Sequence, residues 1–219
     1  MSALGIDHNV TPASRIGKDI KSTSDKRVAR RPWPGFMLVF ASLLLAVSNL
    51  FEFWHLKLNA PQYPGGLRVT LFTHKLEGDV FEVDGLNHYI GMMPLGDAAS
   101  FERSIAMFAM AAFVILGILA GTLPNRHAAW LALPVILFPF AFVADLFFWL
   151  YKAGHELDPT AALSSSVKEF TPAILGRGVV GQFSTDAMFG LGFFIALAAA
   201  IIACVGLVAR LRSTNARGA

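Results

Sequence analysis

Four long stretches of this chain carry almost no charge, and nothing else in it limits the possible folds so strongly. They are "FMLVFASLLLAVSNLFEFW" at residues 36–54, "IAMFAMAAFVILGILAGTL" at 105–123, "AAWLALPVILFPFAFVADLFFWLY" at 128–151 and "AMFGLGFFIALAAAIIACVGLVA" at 187–209. Each is close to the ~20 residues a helix needs to cross ~30 Å of hydrocarbon. A backbone in lipid must satisfy its own hydrogen bonds, which a helix does within one segment. The pattern therefore predicts an all-α integral membrane protein with four transmembrane helices and two extracytoplasmic loops. With 55% hydrophobic and 15% charged residues, the chain is too apolar for an ordinary soluble domain.

Lysine and arginine placement sets the expected orientation. Seven lie before residue 36, one is Arg126 in the turn at 124–127, and three are Arg210, Arg212 and Arg217 in the tail at 210–219. Alternating spans put these eleven of the eighteen on one side, so the positive-inside rule places both termini in the cytoplasm, in the inner membrane of a cell. Residues 1–35 read as a disordered basic tail whose charge serves topology and lipid headgroups. A cleaved signal peptide ending near "AVS" at 46–48 is the competing reading of the first span, disfavoured by the 35 residues before it. The basic residues form no faced stripe with interleaved aromatics, so nucleic acid is not an expected partner. Cys204 stands alone, which excludes a disulfide framework and a C-x-x-C-H haem attachment.

The loops at 55–104 and 152–186 hold most of the remaining polar chemistry. Alternation around Leu67, Val69 and Leu71, followed by "LEGD", predicts a β-hairpin turned at Gly78 in the first loop. After it comes "LNHYIGMMP" at 86–94, where a helical turn capped by Asp84 would put His88 and Met92 on one face at i, i+4. Asp97 is a similar candidate cap for the second span. In the second loop Gly176, Gly178 and Gly181 have G-x-G-x-x-G spacing, but no strand-to-helix context supports nucleotide binding.

Topology places Glu52, His55, His88, Met92, Met93, Asp145, His155 and Asp158 on the outer side. Imidazole with thioethers and no thiolate suits copper, so His88, Met92, Met93, His55 and His155 are candidate ligands. Glu52, Asp145 and Asp158 form a candidate supporting polar cluster, and an ionisable group as deep as Asp145 usually faces protein or a water-filled cavity. The plainer alternative has His88 bonded to a loop carbonyl and the methionines filling a gap over the helix ends. A second alternative makes His55 and His155 axial ligands of a b-type haem, in an electron-transfer bundle. A third is a structural or assembly subunit without a ligand. No nucleophile–base set or acid pair stands out, so no catalytic reaction is expected.

The phrases "APQYPGGLRV", "GDVFEVDGLNHYIGMMPL", "ADLFFWLYKAGHELDP" and "VKEFTPAILGRGVVGQFST" together resemble a family of small multi-pass bacterial membrane proteins associated with nitrous-oxide reductase maturation and periplasmic copper handling. The similarity covers about residues 36–209. It implies copper delivery or support of copper-enzyme assembly, with a membrane or periplasmic copper protein as partner and His88 and Met92 as candidate residues. It carries over no catalytic residues.

Overall fold

The computed structural model describes residues 32–163, 166–180 and 183–215. Most of the predicted basic tail, 1–31, and Gly181 of the glycine motif lie outside the described residues. In chain order the elements are helix α1 (Trp33–Ser48), strands β1 (Trp54–Ala60), β2 (Tyr63–Leu71) and β3 (Leu76–Gly78), helices α2 (Val80–Ile90) and α3 (Ser100–Thr122), a 3-10 turn (Arg126–Ala132), helix α4 (Leu133–His155), strands β4 (Gly176–Val180) and β5 (Phe183–Phe189), and helix α5 (Leu191–Asn215).

The all-α expectation is wrong. Among the described residues, five strands form one antiparallel sheet in the order β3-β2-β1-β5-β4. The predicted hairpin is misplaced: β2 turns back at 72–75, Gly78 ends β3 opposite Val69 instead of making the turn, and the following "VFEVD" opens helix α2 and is no strand. The strand that organises the sheet, β1, pairs with β2 on one side and with β5, about 130 residues later in the chain, on the other. The four-span expectation is also corrected. Three helical stretches, Ser100–Thr122, His127–His155 and Leu191–Ser213, are long and apolar enough to cross a membrane. The first apolar block yields a helix of only 16 residues, α1, roughly 24 Å at 1.5 Å per residue. Its last residues leave the helix through a turn at 49–51, and Trp54 begins β1. Likewise, residues 187–189 of the fourth predicted span belong to β5.

Small residues bring the helices together. The Cβ of a residue replacing Gly35 would lie 2.5 Å from the Gly121 carbonyl oxygen, and the converse distance is the same, so α1 and α3 touch backbone to backbone. Ala196, Ala199 and Ala203 recur at three- and four-residue spacing on α5 and are buried with Leu38, Ala41 and Leu45 of α1. This is the small-residue packing expected where lipid supplies no hydrophobic drive between helices. Phe40, Phe108, Phe140, Phe194 and Ile201 are exposed around the bundle, as is compatible with contact to a bilayer.

The sheet and α2 cap the end of the bundle where α1 and α4 finish and α3 and α5 begin. Phe53 fastens the cap: its amide donates to Leu71 O at 2.8 Å, its carbonyl accepts from Gly190 at 3.0 Å, and its fully buried ring packs on Phe138 and Phe142. Strand alternation then sorts side chains to two faces. Trp54, Leu58, Leu67, Val69 and Ala187 face the core with α2 and α4, while His55, Lys57, Arg68, Asp186 and Met188 line a recess on the other face.

Candidate functional site

Helix α2 buries Val83, Asn87 and Ile90 toward the core side of the cap, which leaves His88 exposed beyond them. The expectation that Asp84 caps this helix is not met. The helix starts at Val80, and the Asp84 carboxylate instead accepts the Leu95 amide at 2.6 Å, holding the chain that follows the methionines. Asp97 is not the cap of α3 either; Ala99 occupies that position in the left-handed conformation with no side-chain cap bond.

Gly91 ends α2 at φ 83°, a conformation that disfavours any side chain. The Met92 amide donates back to Asn87 O at 2.9 Å, so both methionines follow directly on a closed helix end. From the other side, the Asp158 amide donates to Gly91 O at 2.8 Å and the Leu163 amide to Tyr89 O at 2.9 Å. The loop after α4 is thereby tied to the turn after α2. Together they form an open recess of about 440 Å³, lined by His88, Met92, Met93 and Pro94 on one side and Glu156 and Asp158 on the other. The Asp158 carboxylate accepts from both the hydroxyl and the amide of Thr160, at 2.7 and 2.8 Å. Those bonds, with a smaller contribution from His88, hold its pKa below the usual carboxylate range.

Of the residues singled out in the sequence, His88, Met92, Met93 and Asp158 come together here; the others lie in three different places. His55 sits on the sheet's other face, its Nδ1 3.3 Å from Glu52 Oε1, an ion-pair distance without hydrogen-bond alignment. Its cross-strand neighbour there is Met188, which is 57% exposed. Met188 falls in "AMFGL", whose composition marks the start of a membrane helix, whereas it lies in β5. The polar "STD" before it, alternating within residues 183–189, is the strand signal that was available. His155 stacks on Tyr151 with ring centres 3.8 Å apart, and its Nδ1 lies 2.9 Å from Tyr151 O. Asp145 lines an interior cavity with Glu102 and Trp149. With His55 on the sheet and His155 on the end of α4, the haem reading gains no supporting geometry.

A metal in the open recess would depend on the thioethers. Among the described residues, no three His, Cys, Asp or Glu side chains gather closely enough to hold an ion by themselves. One imidazole and two thioethers make a soft donor set, suited to Cu(I) in preference to zinc or the hard cations. Comparison with known proteins adds no family to this geometry: no family model matches the chain, and no curated relative matches it.

Proposed function

We propose that this membrane protein binds copper(I) in the recess between α2 and the loop after α4, and acts in copper handling or copper-enzyme assembly. The observation that carries the reading is that His88, Met92 and Met93 line one recess whose opposite wall is Glu156 and Asp158. The imidazole and the two thioethers are the ligands, and the carboxylates add negative charge that favours a cation. A recess open to solvent, with His88 exposed, suits exchange with another protein better than permanent storage. The resemblance of the loop phrases to proteins of copper-enzyme maturation points the same way.

The cap belongs outside the cytoplasm in this reading. Arg126 begins the 3-10 turn and Arg210 and Arg212 end α5, all at the end of the bundle opposite the cap. Positive residues favour the cytoplasmic side, so the recess faces the periplasm and receives or supplies copper there, in exchange with a membrane or periplasmic copper protein. The test is a competition titration with a colorimetric Cu(I) chelator. Wild type should withhold one Cu(I), while the Met92→Leu/Met93→Leu double variant and His88→Ala should release it. Equal retention by all three proteins would remove the recess from consideration.

A further inference from the structure

Between α2, the sheet and the loop entering β4 lies a cavity of about 120 Å³. Its walls are mostly aliphatic: Val83, Leu86 and Ile90 come from one face of α2, and Leu56 and Leu58 from β1. Phe170, Pro172 and Ala173 close a third side, held by the Phe170 amide, which donates to Gly154 O in the last turn of α4 at 3.0 Å. Among the described residues no charged side chain lines this cavity, and three polar ones do: Asn87, Thr171 and Thr185. Asn87 is the most buried of them, only 7% exposed. Its backbone carbonyl accepts from the Met92 amide, but no described group hydrogen-bonds its side-chain amide. The Thr185 hydroxyl is likewise without a described partner. Gly178, its neighbour across the β4–β5 pair, leaves that hydroxyl uncovered, since a Cβ there would lie 2.7 Å from Thr185 Oγ1. A glycine inside a strand often marks such a close approach.

Buried amides are almost always hydrogen-bonded, and one left unpaired is costly, so the cavity calls for an occupant with a polar atom of its own. Water alone would serve the amide but not the wall, because aliphatic cavities near ~150 Å³ stay dry and admit apolar molecules. A bare hydrocarbon would suit the wall and leave Asn87 unpaired. A carboxylate or phosphate would lose its hydration with no cation in the lining to replace it. A neutral aliphatic chain with one hydroxyl answers both halves of the site. The hydroxyl is donor and acceptor at once, as is the amide it would meet. We propose that this cavity binds a neutral aliphatic alcohol, its hydroxyl on Asn87 and roughly six non-hydrogen atoms enclosed. Any longer chain leaves beside Val179, a lining residue that is 71% exposed. The site rests on none of the copper argument, although Met92 lines both places.

The test uses the full chain in lipid nanodiscs with carbon-13-labelled methyl groups, titrated with 1-hexanol. The methyl signals of Val83, Leu86 and Ile90 should move saturably. Those of Ile201 and Val205, exposed on α5, should show only the unsaturable drift of hexanol dissolved in lipid. Asn87→Leu removes the amide without breaking a described side-chain hydrogen bond, and it should weaken hexanol binding about tenfold while leaving that of hexane unchanged or tighter. Hexanoate at neutral pH should not compete. Leu86→Phe fills the cavity and should abolish the saturable shifts of Val83 and Ile90; if that variant does not fold, Asn87→Leu decides. Cavity methyls that merely track Ile201 in the wild type would show a cavity holding water alone and overturn the inference. Equal hexanol affinity in wild type and Asn87→Leu, or binding of hexanoate as tight as that of hexanol, would overturn it too.

Discussion

The Asp158 amide donates to the carbonyl of Gly91 at 2.8 Å, and this bond joins the turn carrying both methionines to the loop carrying both carboxylates of the recess. Each partner depends on the other's backbone. A Cβ on Gly91 would lie 2.7 Å from Asp158 O and 2.9 Å from Asp158 N.

Gly91→Ala should therefore be more damaging than an ordinary glycine replacement. It combines a left-handed backbone with a clash against main chain that cannot rotate away, a cost of about 1–3 kcal/mol. Thermal unfolding in detergent should show a lowered midpoint, and Cu(I) retention should fall with it. An unchanged midpoint would mean that the two segments are not held together as described.

Acid should loosen the loop after α4 through Asp158. Its folded-state pKa is depressed by the two Thr160 bonds. The associated stabilisation is thus complete above the ordinary carboxylate value of about 3.9 and is lost as pH falls through the lower folded value. Thr160→Val removes the hydroxyl donor and should move the Asp158 titration upward, toward the ordinary value. A carboxyl-carbon NMR titration of the two proteins reads this directly; superimposable Asp158 curves would contradict it.

How much of this was legible in the sequence differs from element to element. The long helices were, because block hydrophobicity is a local property and Gly and Pro ends are few. The sheet was not, because β1 and β5 each abut an apolar helix, and an alternating strand next to such a run is absorbed into it. Their pairing, Leu56 with Ala187 for instance, spans most of the chain and leaves no local trace. The recess divides the same way. His88 and Met92 are neighbours along the chain, but the helical i, i+4 placement expected of them is not what joins them, because α2 ends at Ile90 and Gly91 turns the chain before Met92; the approach of Asp158 depends on a backbone bond to Gly91 that no spacing encodes. Conversely, an expected common side did not imply one site: His55 lies on the other face of the sheet, Asp145 in the cavity beside α4 and His155 at the end of α4, all apart from His88.

The close approach of α1 to α3 gives a prediction about the bundle. Gly121→Val would push its side chain toward the Gly35 carbonyl and the Val39 side chain. Overpacking of this kind typically costs about 1–3 kcal/mol. Reduced yield of monodisperse protein and a lowered unfolding midpoint are expected, with a milder effect for Gly121→Ala. Wild-type behaviour of the valine variant would mean that the two helices are further apart.

Trp54 anchors the sheet to the chain entering β4, its Nε1 donating to Ile174 O at 2.7 Å. Trp54→Phe keeps most of the ring in the core but leaves that carbonyl without its donor, a loss of about 0.5–1.5 kcal/mol. Hydrogen exchange at Gly176–Val180 should accelerate in the variant, while exchange along α5 stays unchanged. No acceleration in β4 would show that the bond does not hold this edge.

Copper held in the recess as proposed, by two thioethers and one imidazole, has a signature in X-ray absorption at the copper edge of the Cu(I)-loaded protein. A mixed sulfur and nitrogen shell is expected in wild type, losing its sulfur component in the Met92→Leu/Met93→Leu variant. A shell of nitrogen and oxygen alone, or a sulfur component that survives the double substitution, would contradict it.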